Sequence, residues 1–222
     1  ENVSCEFVGH PLLEEETGKI DINQFISKNK ALISVFAGSR ASEINILMPI
    51  LLNFIKLMNR KYEDITYVFH STNEHNSLIK SFITLSQIKN CEVISDDQIK
   101  SHILKKSIFA VSKSGTISLE ICNSKIPSII LYKMGFLNFL IIKMLVKTKF
   151  ANIINIAAEE LIIPELLQSD CNADNIYKYV SYFLENPDKI KEQIIKTENI
   201  LNKFKTSVPS SQIASESLNN FL

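Results

Sequence analysis

Two short stretches carry residue types suited to holding an anion. Gly38-Ser39-Arg40 directly follows the apolar run 31–37, and Glu43 stands three residues further on. Glycine lets a backbone approach a ligand closely, serine can cap the following helix, and helix-opening N–H groups point outward at negative charge. Arg40 adds a planar fork of donors matched to phosphate oxygens. Lys113-Ser114-Gly115-Thr116 repeats the arrangement after the run 107–112, again just ahead of helical sequence. Glu120 lies four residues beyond Thr116, one turn along the same helix face, where a carboxylate could accept hydrogen bonds from the paired hydroxyls of a ribose. Each piece also has a plainer reading, as a capped helix with a solvent-facing arginine or as a surface glutamate. Taken together, two such cradles fit a ligand with a diphosphate and a sugar, that is, a nucleotide.

Alternating strands and helices must position these loops. The run 31–37 (ALISVFA) is apolar throughout, as in a strand covered on both faces. Over 41–60 the apolar residues Ile44, Leu47, Leu51, Phe54, Ile55 and Met58 recur at helical spacing. Strands follow at 65–70, 91–94, 107–112 and 127–132, with helices at 73–86, 96–106 and 116–123 between them. The alternation predicts right-handed βαβ units, hence an α/β fold with a doubly wound parallel sheet. In such sheets ligands bind beyond the carboxyl ends of the strands, where both cradles fall. Helices are expected at 173–185 and 187–205, with a last one at 210–222. Residues 1–30, broken by Pro11 and Gly18 and carrying the acidic run 14–16, read as a connecting segment. The organisation expected is therefore a connector at 1–30, a nucleotide-sugar-binding domain at 31–205 and a C-terminal helix at 206–222.

Composition narrows the function classes. The 222 residues carry 24 basic and 24 acidic side chains, a balance that argues against nucleic acid as a partner. Arginine is scarce: only Arg40 and Arg60 occur, and one of the two falls in a cradle. The hydrophobic share of 45% is enough to build a core. Four scattered cysteines and four scattered histidines form no ligand-spaced cluster, so neither a metal nor a disulfide frame is expected. No basic stretch followed by an apolar one opens the chain, so no secretory signal is expected. With five glycines there is no G-x-G-x-x-G, G-x-x-x-x-G-K-[ST] or G-x-S-x-G, which disfavours nicotinamide enzymes, P-loop ATPases and serine hydrolases.

Two further stretches stay open on the residues alone. In 133–150, Lys133, Lys143, Lys147 and Lys149 surround Phe136, Phe139, Leu140 and Leu145. The stretch is too short to span a bilayer, which takes about 20 apolar residues, but it could rest on anionic lipid or pack on the sheet. Asn155, at the end of another apolar run, could offer its amide at a strand end or serve a turn.

An ordered series ties these pieces together. Val8-Gly9-His10-Pro11, Gly38-Ser39-Arg40 with Glu43, Ser114-Gly115-Thr116 with Leu119-Glu120, Tyr132-Lys133, Leu145-Val146-Lys147, Asn155 and Pro164-Glu165-Leu166-Leu167-Gln168 occur in one order. From about residue 8 to about 168 the chain resembles the C-terminal half of lipid-A-disaccharide synthase, an inverting glycosyltransferase family of GT-B architecture. The resemblance implies a Rossmann-like donor-binding domain and transfer from UDP-2,3-diacylglucosamine to 2,3-diacylglucosamine 1-phosphate, with release of UDP. It implies Gly38, Ser39, Arg40, Ser114, Gly115, Thr116, Glu120 and Asn155 as substrate-binding residues, with Arg40 and Asn155 as catalytic candidates. No cofactor is implied. It further implies a catalytic base from an N-terminal GT-B domain, and a cytoplasmic enzyme held on the inner face of the membrane through 133–150. The alternatives are a UDP-sugar-binding module or remnant without catalysis, and another UDP-sugar GT-B transferase.

Overall fold

Apolar runs buried on both faces and helical periodicity between them assemble one parallel sheet. The computed structural model describes residues 5–13, 30–135 and 149–219. Strands β1 (Ala31–Phe36), β2 (Ile65–His70), β3 (Cys91–Ile94), β4 (Ser107–Lys113), β5 (Ser128–Tyr132) and β6 (Glu165–Leu167) line up in the order β3-β2-β1-β4-β5-β6. Every neighbouring pair is parallel. This is the doubly wound order, in which strand succession reverses between β1 and β4 and opens a crevice at their carboxyl ends. Phe36 is in register with Ser112, so the loops that follow them lie side by side. The two cradles read from the sequence therefore meet at the switch point of the sheet.

Helices α1 (Ala41–Met58), α2 (Asn76–Ser86), α3 (Asp97–Lys106), α4 (Ile117–Asn123), α5 (Ile153–Ala158), α6 (Ala173–Glu185), α7 (Pro187–Leu201) and α8 (Ser210–Asn219) cover the sheet. Along β1, Ile33 and Val35 join one core with α1, α2 and α6, through Leu47, Leu51, Phe54, Ile79 and Val180. Leu32 and Phe36 point to the other face, against Ile103 and Leu104 of α3 and Ile121 of α4. Among the described residues α1 is the helix long and apolar enough to cross a membrane, but its apolar stripe is buried against this sheet. Pro49 sits inside α1 on its exposed side, where the missing N–H faces water rather than the core.

Most element ends fall within a few residues of the sequence expectation. The helix expected at 187–205 closes at Leu201. Asn155 lies inside a helix rather than at a strand end, because Asn152 caps that helix by accepting from the Ile154 N–H. The three-residue β6 was too short to show a period. Residues 5–13 pack onto the C-terminal part of the chain: Ser217 Oγ donates to Glu6 at 2.6 Å, and Gly9 (φ +85°) fits closely against Thr206. In α8, Leu218 is exposed, and the expected continuation of this helix to 222 runs past the described residues. The same holds for most of 133–150, including Phe136, Phe139, Leu140, Lys143, Leu145 and Lys147, and for the acidic run 14–16.

Candidate functional site

The loop after β1 is shaped around Glu43. Gly38 adopts φ +111°, a region that favours glycine, and a Cβ there would come within 2.6 Å of Glu43 Oε2 and 2.8 Å of its Cβ. The Glu43 carboxylate accepts from the Ser39 N–H at 3.1 Å and from Arg40 Nη1 at 3.2 Å. From the facing strand β4, Lys113 Nζ approaches the same Oε1 to 3.0 Å. Burial pushes the Glu43 pKa up, but Lys113, the Ser39 N–H and Arg40 outweigh it and hold the group below the usual carboxylate range. Ser39 was expected to cap α1. Instead Arg40 occupies the cap position, with its side chain largely exposed, and no side chain caps the helix.

The loop after β4 presents a more open wall. Gly115 has open space where a Cβ would stand. Thr116 is the residue before α4, and in the first turn the Ser118 and Leu119 N–H groups donate to the Gly115 and Thr116 carbonyls at 3.2 and 3.0 Å. Ser114 is turned inward: its hydroxyl donates to the Ala151 carbonyl at 2.8 Å, tying this loop to the segment before α5. Glu120 reaches the same cavity wall with Oε2 3.0 Å from Lys100 Nζ, which also meets Asp97 at 3.1 Å. Burial lowers the Lys100 pKa, while Glu120 and Asp97 raise it by more, so the ammonium is held charged.

These residues enclose a cavity of about 350 Å³ at the carboxyl ends of β1, β2 and β4. Gly38, Ser39, Arg40, Ser114, Gly115, Thr116 and Glu120 all line it, so seven of the eight residues picked out by sequence converge. Arg40 and Lys113 also border an adjoining cavity of about 330 Å³ that runs past Tyr132 and Lys133 to Gly135. A larger cavity, about 580 Å³, lies off the opposite ends of β2 and β3 around Asn59 and Asn90. We favour the smaller pair, because parallel sheets of this order bind ligands at the carboxyl ends.

Asn155, the eighth residue, does not line this cavity. It is fully buried, and Nδ2 donates to the Ile163 carbonyl at 2.7 Å and to Glu165 Oε1 at 2.8 Å. Its Oδ1 accepts from the N–H groups of Ile162 at 3.0 Å and Ile163 at 2.9 Å. A primary amide has two donors and two acceptor lone pairs, so every one is engaged inside the protein. Asn155 is a strut that holds α5 against β6.

Sequence reasoning passed over Lys100 and His70. Lys100 sits one turn beyond Asp97 on the same helix, a pairing common on solvated surfaces, and its second partner, Glu120, comes from a different helix. His70 ends β2, the strand beside β1, and its ring lies flat on Phe36 with centroids 4.3 Å apart and planes at 9°. Its position as the last residue of a buried strand was the available signal. Among the described residues no cluster of three or more histidines, cysteines or carboxylates could hold a metal ion.

A family model described as lipid-A-disaccharide synthetase matches residues 1–217. The lipid-A-disaccharide synthase of Rickettsia prowazekii (strain Madrid E) is 33% identical over 221 residues, covering 96% of this chain and 57% of the relative. The chain thus spans little more than half the length of the curated relatives it matches. A S. aureus MnaA–UDP co-structure superposes with a TM-score of 0.64 at 16% identity, over 97% of this chain and 53% of that one. The C-terminal domain of a group 1 glycosyl transferase family protein (LpcC) from Francisella tularensis superposes with a TM-score of 0.55 at 13% identity, over 88% of this chain and 97% of that domain. The architecture is accordingly that of a GT-B half, and the chain belongs to the lipid-A-disaccharide synthetase family.

Proposed function

We propose that this chain is the donor-binding half of an inverting glycosyltransferase of lipid A synthesis. In this reading it holds UDP-2,3-diacylglucosamine, and the sugar passes to the 6-hydroxyl of 2,3-diacylglucosamine 1-phosphate, with UDP leaving. The observation that carries the reading is the meeting of Arg40 and Lys113 over one carboxylate between two small-residue loops at the switch point. A diphosphate placed there exchanges the Glu43 carboxylate for its own oxygens on the same donors. As the glycosidic bond breaks, charge grows on the leaving phosphate, and fixed cations and N–H dipoles stabilise it without reorganisation. Glu120, on the wall beyond Thr116, suits the ribose hydroxyls.

Inverting transfer also needs a base for the acceptor hydroxyl. The cavity's carboxylates already face cations: Glu43 meets Lys113 and Arg40, while Asp97 and Glu120 meet Lys100. That arrangement supports a base from an N-terminal GT-B domain. The adjoining cavity beside Tyr132 and Lys133 leads toward 133–150, which we propose rests on the inner face of the cytoplasmic membrane and meets the acyl chains. The second reading, a UDP-sugar-binding module without transfer, is favoured by those same engaged carboxylates. Isothermal titration with UDP tests the binding claim common to both. Measurable heat is expected for wild type, with affinity falling about tenfold or more in Arg40→Ala, as for loss of one charge-assisted phosphate contact. Equal heats for the two proteins overturn it. Disaccharide formation by this chain alone overturns the external base.

A further inference from the structure

The cavity holds two separate groupings of charge. Arg40 and Lys113 meet over Glu43, whereas Lys100 meets Glu120 and Asp97. The ammonium of Lys100 stands 3.0 Å from Glu120 Oε2 and 3.1 Å from Asp97 Oδ1, and all three residues line the cavity. The two ion pairs are unlike. Asp97 lies one turn before Lys100 on α3 and is 92% exposed, so water screens that pair and it contributes little. Glu120 comes from α4, and the side chains of Lys100 and Glu120 are only 23% and 21% exposed. This second pair ties one helix to another at the cavity wall.

Such a tie restrains the carboxylate. A glutamate side chain left alone samples several rotamers, and ordering it for a ligand costs conformational entropy. Held at Oε2 by Lys100, Glu120 keeps one orientation. An ionised carboxylate has about four acceptor sites, of which the ammonium takes one, so acceptors remain for a pair of hydroxyls. We propose that Lys100 is a positioning residue for sugar recognition: its ion pair across α3 and α4 fixes the Glu120 carboxylate toward the ribose diol of the bound nucleotide, and the site thereby discriminates for the diol. This assignment rests on the proposal that the cavity takes a uridine diphosphate with its ribose at Glu120.

Titration calorimetry with UDP and 2′,3′-dideoxy-UDP tests it, on this chain and on Lys100→Ala, Lys100→Met, Lys100→Arg and Glu120→Gln. The ratio of the two affinities is the readout, because the attraction of a cation for the diphosphate is common to both ligands and cancels. Wild type is expected to prefer UDP by about tenfold or more. Lys100→Ala and Lys100→Met should bring the ratio down to about twofold by weakening UDP alone, and Lys100→Arg should recover most of it. In a Glu120→Gln background, Lys100→Ala should leave the ratio unmoved, since its effect runs through the carboxylate. Thermal unfolding identifies the variants that are folded at the titration temperature, and Lys100→Met keeps most of the apolar stem should Lys100→Ala fail. A full preference that survives in Lys100→Met overturns the assignment while leaving the nucleotide site intact. So does an equal fall for both ligands, which would put Lys100 on the phosphates, and so does equal binding of both by wild type. No heat with UDP at all removes the nucleotide reading and this assignment with it.

Discussion

Lys113 Nζ on β4 stands 3.0 Å from Glu43 Oε1 in the first turn of α1, closing the crevice between two neighbouring strands with an internal anion. Arg40 and the Ser39 N–H converge on the same carboxylate. Glu43 thereby holds Lys113, Arg40 and the Ser39 N–H together around one negative group. The Arg40 pairing is mostly exposed and so adds about 1 kcal/mol at most to stability. Its consequence under the proposed function lies in binding, because a diphosphate at this site would compete with Glu43 for three donors.

Replacing that carboxylate by an amide should therefore tighten UDP binding. Glu43→Gln keeps the side-chain shape and an acceptor for Ser39 but removes the like charge facing the diphosphate. The expected gain is about three- to tenfold in affinity, or about 0.6–1.4 kcal/mol. Calorimetry at low and high salt checks it. Weaker binding in the variant would mean that Glu43 positions the donors and does not compete for them.

Gly38→Ala should damage both fold and site. The new methyl meets Glu43 Oε2 at 2.6 Å and Cβ at 2.8 Å, and φ +111° is a strained value for alanine. A cost of about 2–3 kcal/mol is expected from the backbone strain and displacement of Glu43. Chemical denaturation gives the stability loss directly. A variant as stable as wild type would show that the loop relaxes freely.

The cradles were legible in the sequence because they are local: an apolar strand, a small-residue turn and a helix start occupy consecutive positions. Their adjacency was only implied, since β1 and β4 are joined through two other strands. His70 stayed hidden for a related reason. Its ring bonds to Ser34, 36 positions away, and Ser34 in turn to Ser107, 73 positions from Ser34. Asn155 misled because Ile153-Ile154 continues an apolar run, whereas the decisive signal was Asn152, whose side chain turns that run into a helix.

Asn155→Ala should accordingly destabilise the protein without touching the ligand. It leaves the Ile162 and Ile163 N–H groups, the Ile163 carbonyl and one Glu165 contact without their partner. Orphaning several buried groups costs about 3 kcal/mol or more. Below the lowered melting temperature, the folded variant should bind UDP as wild type does. A selective loss of UDP affinity at unchanged stability would restore Asn155 to the site.

Acid sensitivity should trace to the buried His70. The folded-state pKa of His70 is pushed down from 6.5 to about 3, first by burial and then by Lys100. Between those values the unfolded chain binds a proton that the folded chain does not. Stability contributed by the neutral ring is therefore complete above pH 6.5 and is lost as pH falls toward 3. One such group gives a slope approaching about 1.4 kcal/mol per pH unit within the window. The carboxylate of Glu43 titrates separately, below its ordinary 4.5, and its contribution is retained at higher pH in wild type and variant alike. Urea unfolding of wild type and His70→Phe between pH 6.5 and 4.5 isolates the histidine. The variant loses the bond to Ser34 at every pH, so its curve is offset, but it should also be flatter by that slope. Parallel curves would mean that the ring gains its proton in the folded state as easily as in water.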